Sequence, residues 1–143
     1  MFQRILVAWD GSEVALRAFD LAIDLTRRYG AELVVVSIAY SPAHAETAAD
    51  REETEQAAHR YLTQTFAEVL DRAERAGVSV EHQIINGDPA AQALDDYAQR
   101  HGFDLIVCGH HASRRAGRLL LRDFAEELIE RPTAVLVVTD ADR

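Results

Sequence analysis

Five short apolar runs punctuate this chain, and between them lie longer segments whose apolar residues recur at helical spacing. The first run, Arg4 to Trp9, is too short for a helix and rich in branched residues, so it predicts a strand. Asp10-Gly11-Ser12 breaks it, with Ser12 placed to cap a helix in which Leu16, Phe19 and Ile23 share a face. Arg27 and Arg28 occupy the last turn of that helix and Gly30 stops it. Glu32 to Ile38 is the second strand. Its unbroken Leu33-Val34-Val35-Val36 centre has the pattern of a parallel strand covered on both faces. Ala39 to Asp50, containing Pro42, reads as a loop. Arg51 to Ala76 reads as a long helix striped by Leu62, Phe66, Val69 and Ala73 and ended by Gly77.

Val78 to Ile85 is a third strand, and the polar Glu81, His82 and Gln83 within it predict an edge position. In Asn86-Gly87-Asp88-Pro89, Asp88 suits a cap and Pro89 the first helical position. The helix from Ala90 to His101 should bury Leu94 and Tyr97 and end at Gly102. Asp104 to Cys108 is the fourth strand. It empties at Gly109 into a polar loop carrying Arg114, Arg115 and Arg118. A fourth helix runs from Gly117 or Arg118 to Arg131, with Leu121, Phe124 and Leu128 on one face, and Ala134 to Val138 is the last strand. Strands alternating with helices, joined by right-handed crossovers, predict a single α/β domain over residues 1–143 with a doubly wound, mostly parallel sheet and helices on both faces.

Composition narrows the function more than the fold. At 143 residues, 48% hydrophobic and 27% charged, the chain has the content of one globular domain. No apolar run approaches the roughly 20 residues of a membrane span, and Met1-Phe2-Gln3-Arg4 runs directly into the first strand, so no membrane partner is expected and the expected location is the cytoplasm. The one cysteine, Cys108, excludes an internal disulfide. A formal charge of −9 argues against nucleic acid as a partner. All fifteen basic residues are arginine. With no lysine, a Walker-type phosphate loop, a protein kinase, a Schiff-base enzyme and a phosphoacceptor receiver domain are all excluded.

Four stretches in this order resemble the universal stress protein superfamily. They are Ile5-Leu6-Val7-Ala8-Trp9-Asp10-Gly11-Ser12, Asn86-Gly87-Asp88-Pro89-Ala90, Asp104-Leu105-Ile106-Val107-Cys108-Gly109 and Pro132-Thr133-Ala134-Val135-Leu136-Val137-Val138. The resemblance implies five strands in the order 3-2-1-4-5 and a homodimer paired through the last strand, Ala134 to Val138. It also implies a ligand cleft beside the first and fourth strands, occupied by ATP in one branch of the family and not in the other. On that basis the candidate cofactor-binding residues are Ala8, Asp10, Ile38, Gly109, Ala112, Arg122 and Asp123.

The ATP-binding branch carries glycine, two residues, glycine, nine residues, glycine, then serine or threonine. Glycines let backbone N–H groups close around phosphates, and the hydroxyl donates at the next helix start. Counted onto this chain, Gly109 keeps the first position, Ala112 takes the second, Arg122 replaces the third glycine and Asp123 replaces the hydroxyl. The spacing survives and most of the chemistry does not. A carboxylate at Asp123 would repel a polyphosphate. The expected function is therefore a non-enzymatic, homodimeric binding and signalling module with weak or absent ATP binding and no assured cofactor. The alternative is a sensor of ATP or another adenine nucleotide that grips phosphate through the arginine-rich loop.

Single residues carry rival readings. Asp10 serves either as an adenine contact or as a turn aspartate bonded to backbone, and the sequence leaves both open. Trp9 is read as a packing residue at the dimer or cleft rim ahead of a base-stacker. Arg114, Arg115 and Arg118 form either an anion site or, more commonly, a solvated loop. Cys108, His110 and His111 are too few for a metal site, since adjacent histidines rarely face the same way. A basic loop beside Cys108 would lower its pKa and favour a redox role, whereas a buried strand cysteine is the commoner case. Catalysis by Ser12 is not expected, because no histidine lies near it and the cap explains it. An ATP pyrophosphatase would need Ser-Gly-Gly where Asp10-Gly11-Ser12 stands.

Overall fold

A computed structural model describes residues 1–39, 48–87, 89–110 and 119–139. Five strands, β1 (Arg4–Ala8), β2 (Glu32–Ala39), β3 (Val80–Asn86), β4 (Leu105–His110) and β5 (Val135–Thr139), alternate with α1 (Glu13–Tyr29), α2 (Ala48–Ala76), α3 (Ala90–Arg100) and α4 (Leu119–Ile129). The sheet is parallel throughout, in the order β3-β2-β1-β4-β5, with helices on both faces. This is the topology the family resemblance implied.

The unbroken apolar runs follow from this arrangement, because β1, β2 and β4 are covered twice. Ile5, Val7, Leu33, Val35, Leu105 and Val107 pack with Phe19 and Ala22 of α1 and with Leu62 and Val69 of α2. Leu6, Val34, Val36, Ile106 and Cys108 face the other way, onto Leu94 and Ala98 of α3 and Ala125 and Leu128 of α4. β3 is an edge strand that alternates between exposed and half-buried residues, as its polar content predicted. His82 on β3 bonds Ser37 of β2 (Nε2 to Oγ, 2.9 Å) and stacks on Phe66 of α2 at 4.2 Å between centroids. Burial, and secondarily the charge of His59, lower the His82 pKa from its ordinary value.

Local signals place α1 closely. Ser12 Oγ accepts the Ala15 N–H at 3.2 Å, Glu13 lies in the first turn, Arg27 and Arg28 lie in the last, and Gly30 ends the helix in the left-handed region. Gly77 and Gly102 likewise have positive φ just past α2 and α3. α2 is tied to α1 by Arg72, which pairs with Asp20 at 2.6 Å.

Several boundaries differ from the pattern. β4 does not end before Gly109. It runs through Gly109 and His110, because β5 supplies partners for both, Val138 and Thr139. Pro89 is the N-cap of α3 and not its first helical residue, and it offers no side-chain cap bond; Asp88 lies outside the described residues. Tyr97 is only half buried. α2 starts at Ala48, before Arg51. The start of the fourth helix at Gly117 or Arg118 also lies outside the described residues. Among the described residues no helix is long and apolar enough to cross a membrane.

Candidate ligand cleft

The chain leaves β1 and β4, neighbours in the sheet, toward opposite faces: β1 leads into α1 and β4 leads on to α4. That fork, at the carboxyl ends of the strands, is where open α/β sheets hold ligands. A cleft of about 430 Å³ opens there. Ala8 and Asp10 after β1, Ile38 of β2 and Gly109 of β4 all line it, so four of the seven residues singled out from the sequence meet in one place. Ala112 lies outside the described residues. Arg122 and Asp123 belong to α4, but their side chains are also outside what is described. Phe124, next in the chain, lines the cleft. A depression of about 620 Å³ at the opposite end of the sheet is bounded by Arg4, Arg27, Glu32 and Glu81. It lies at the amino ends of the strands, away from the fork.

The walls are mainly aliphatic and aromatic. Trp9 is 4% exposed and belongs to the core under α1 and α2, so it is not a rim residue, although one side of it faces the cleft. Its indole N–H donates to Thr65 Oγ1 of α2 at 3.1 Å, which satisfies the one polar atom the side chain buries. The Asp10 carboxylate oxygen Oδ1 accepts both the backbone N–H of Ser12 at 2.9 Å and the Ser12 hydroxyl. The turn role of Asp10 is thus realised, and the same carboxylate borders the cleft. Ser12 is occupied as donor to Asp10 and as cap acceptor for Ala15.

Gly109 has a structural cause that the motif did not suggest. A Cβ there would lie 2.9 Å from Val14 Cγ1, 3.0 Å from the Val14 carbonyl carbon and 3.1 Å from Ala15 N. The glycine lets the first turn of α1 rest on β4. Cys108, at the cleft floor and 1% exposed, has its thiol pushed up to about 12 by burial. This reverses the lowered pKa that a redox role requires, because desolvation of the thiolate dominates at this position.

The model of the universal stress protein family matches residues 1–139. The chain belongs to the universal stress protein family. A putative universal stress protein of Staphylococcus haemolyticus is 32% identical over 96% of this chain and 84% of its own length. Among solved structures, a universal stress protein family member from Burkholderia pseudomallei superposes with a TM-score of 0.79 at 25% identity, covering 96% of each chain. A universal stress protein in complex with cAMP superposes at 0.72 with 28% identity, covering 96% of this chain and 97% of that one.

Against the strand-end residues shared with the family resemblance, α2 contributes a wall that the sequence reading missed. Ala58, Tyr61 and Leu62 all line the cleft. The available signal was Tyr61 standing next to Leu62, the first residue of the predicted stripe, but nothing local says which strand ends that stripe covers.

Proposed function

We propose that this universal stress protein is a non-enzymatic, homodimeric binding module, one unit over residues 1–143, whose cleft holds the base and ribose of an adenine nucleotide and gives a triphosphate little grip. The observation that carries this reading is the apolar cleft at the β1–β4 fork, of about 430 Å³, with Asp10 as the one carboxylate and no cationic side chain among its described lining residues. Such a wall favours a ring and disfavours added phosphate charge. Replacement of two motif glycines and the hydroxyl by Ala112, Arg122 and Asp123 points the same way. The relative in complex with cAMP supports a nucleotide carrying a single phosphate. Among the described lining residues there is no histidine and no second carboxylate, so these residues supply no acid–base pair.

Isothermal titration with AMP, cAMP and ATP tests this. AMP or cAMP should bind at least about tenfold more tightly than ATP, a difference of about 1.4 kcal/mol. ATP bound as tightly as AMP would overturn the impaired phosphate grip and favour the arginine-loop sensor.

The dimer reading rests on β5. It is the terminal strand of the sheet, and Val135, Leu136, Val137 and Val138 are only half buried. An apolar edge of this kind is an aggregation hazard unless something covers it. Sedimentation velocity should give a dimer that Val137→Lys converts to monomer. A wild-type monomer at micromolar concentration would remove this part of the proposal.

A further inference from the structure

Tyr61 projects from α2 over the β1–α1 turn. A Cβ at Gly11 would fall 2.7 Å from Tyr61 Oη and 3.0 Å from its ring carbons Cε2 and Cζ. Gly11 has no side chain and a φ of +83°, so the turn both tolerates the left-handed conformation and leaves room for the phenol. The support beneath Tyr61 is fixed. One helical turn along α2, Thr65 accepts the Trp9 indole N–H, and further on Arg72 reaches Asp20 of α1. Yet Tyr61 itself is 52% exposed and lines the cleft, while neighbouring Leu62 is 6% exposed and sits in the core. Core packing therefore explains Leu62, whereas Tyr61 rests one edge of its ring on the Gly11 turn and leaves half its surface open. It is an aromatic surface open to solvent at the mouth of an apolar cavity, on a helix tied to Trp9 and to α1.

We propose that Tyr61 is the ligand-positioning residue of this cleft: a planar purine enters between the strand ends and α2 and packs its face on the phenol ring. This rests on the reading of the cleft as a nucleotide site, and it adds where the affinity originates. With an apolar wall and Asp10 as the one charge among the described lining residues, ring stacking is the affinity that these residues can supply. The ligand class that follows is a nucleoside or nucleoside monophosphate. The stacking contribution does not depend on the phosphate, so removing the ring costs adenosine and AMP equally.

Titration calorimetry with adenosine and AMP on the full chain tests this. Fluorescence of Trp9, the chain's single tryptophan and itself a lining residue, gives a second readout. Tyr61→Phe keeps the ring and should bind both ligands within about twofold of wild type. Tyr61→Ala should weaken both by about tenfold or more. Tyr61→Leu, which keeps apolar bulk on α2, should lose affinity alongside it. Tyr61→Ala or Tyr61→Leu binding both ligands as wild type does would overturn the role of Tyr61 and leave the cleft reading standing. A loss in Tyr61→Phe equal to that in Tyr61→Ala, or a loss confined to AMP, would assign the effect to the hydroxyl and overturn ring packing. Wild-type protein that binds neither ligand would overturn both this proposal and the reading beneath it.

Discussion

Trp9→Ala should lower the unfolding free energy by about 3–5 kcal/mol, the usual cost of emptying a buried aromatic site. The side chain is 4% exposed and packs in the cluster that includes Phe19, Val35 and Leu62. Two costs add: the lost transfer of a large apolar surface, and a void that the fixed strand ends and α2 cannot close. Because Trp9 also walls the cleft, that void would join a space of about 430 Å³ and fill with water. Trp9→Phe separates packing from hydrogen bonding. It keeps most of the ring and loses the bond to Thr65, whose hydroxyl still donates to the Leu62 carbonyl at 3.1 Å. Its hydrogen-bond cost should be only about 1 kcal/mol. Urea unfolding followed by circular dichroism reads both variants without relying on the tryptophan that is removed. A Trp9→Ala loss below about 1 kcal/mol would contradict a core position.

The second large effect is expected at Gly109. Gly109→Ala should cost about 1–3 kcal/mol in ligand-free protein, the range for overpacking a filled site. Of the three atoms a Cβ would meet, two are backbone atoms of the first turn of α1, the Val14 carbonyl carbon at 3.0 Å and Ala15 N at 3.1 Å. Backbone cannot rotate aside as a side chain does. Ala15 N is also the donor that Ser12 caps, so moving the turn strains the cap and, through Ser12, the bonds to Asp10. A glycine kept only to admit phosphate would behave differently: its alanine variant would unfold like wild type and fail only in ligand binding. Denaturant midpoints measured without nucleotide therefore decide between the two. An unchanged midpoint would refute the packing role.

These two residues also show how far the sequence could be read. The Gly109 position in a phosphate-loop spacing was visible in the chain, but its contact with Val14 was not, because about ninety-five residues separate the two and only the β1–β4 pairing brings α1 over β4. Trp9 was visible as an aromatic residue at a strand end and was placed at a rim. Its burial depends on α2, whose docking no local pattern specifies. Cys108 carried two readings, and the structure decides for the commoner one, a buried strand cysteine. The basic residues near it in sequence suggested a lowered pKa, whereas its burial against α3 and α4 raises it. The Ser12 cap was legible and the turn role of Asp10 was one of its two open readings, because an aspartate and serine two residues apart at a strand–helix junction bond each other and the adjacent backbone through local geometry.

The sequence alone determined the element order, the stripes of α1 and α2, the left-handed glycine stops and the edge position of β3. Each of these follows from residue type and from a period of a few residues, which need no distant partner. Family membership followed from the order of four such stretches. Tertiary structure alone decided that β4 continues through Gly109 and His110, since only pairing with β5 supplies the missing hydrogen bonds. It decided that Gly109 is held by α1, and that α2 adds Ala58, Tyr61 and Leu62 to the wall of the cleft that opens at the strand ends. These are contacts between segments far apart in the chain. Their geometry is set by how whole layers pack and not by any preference of the residues that make them.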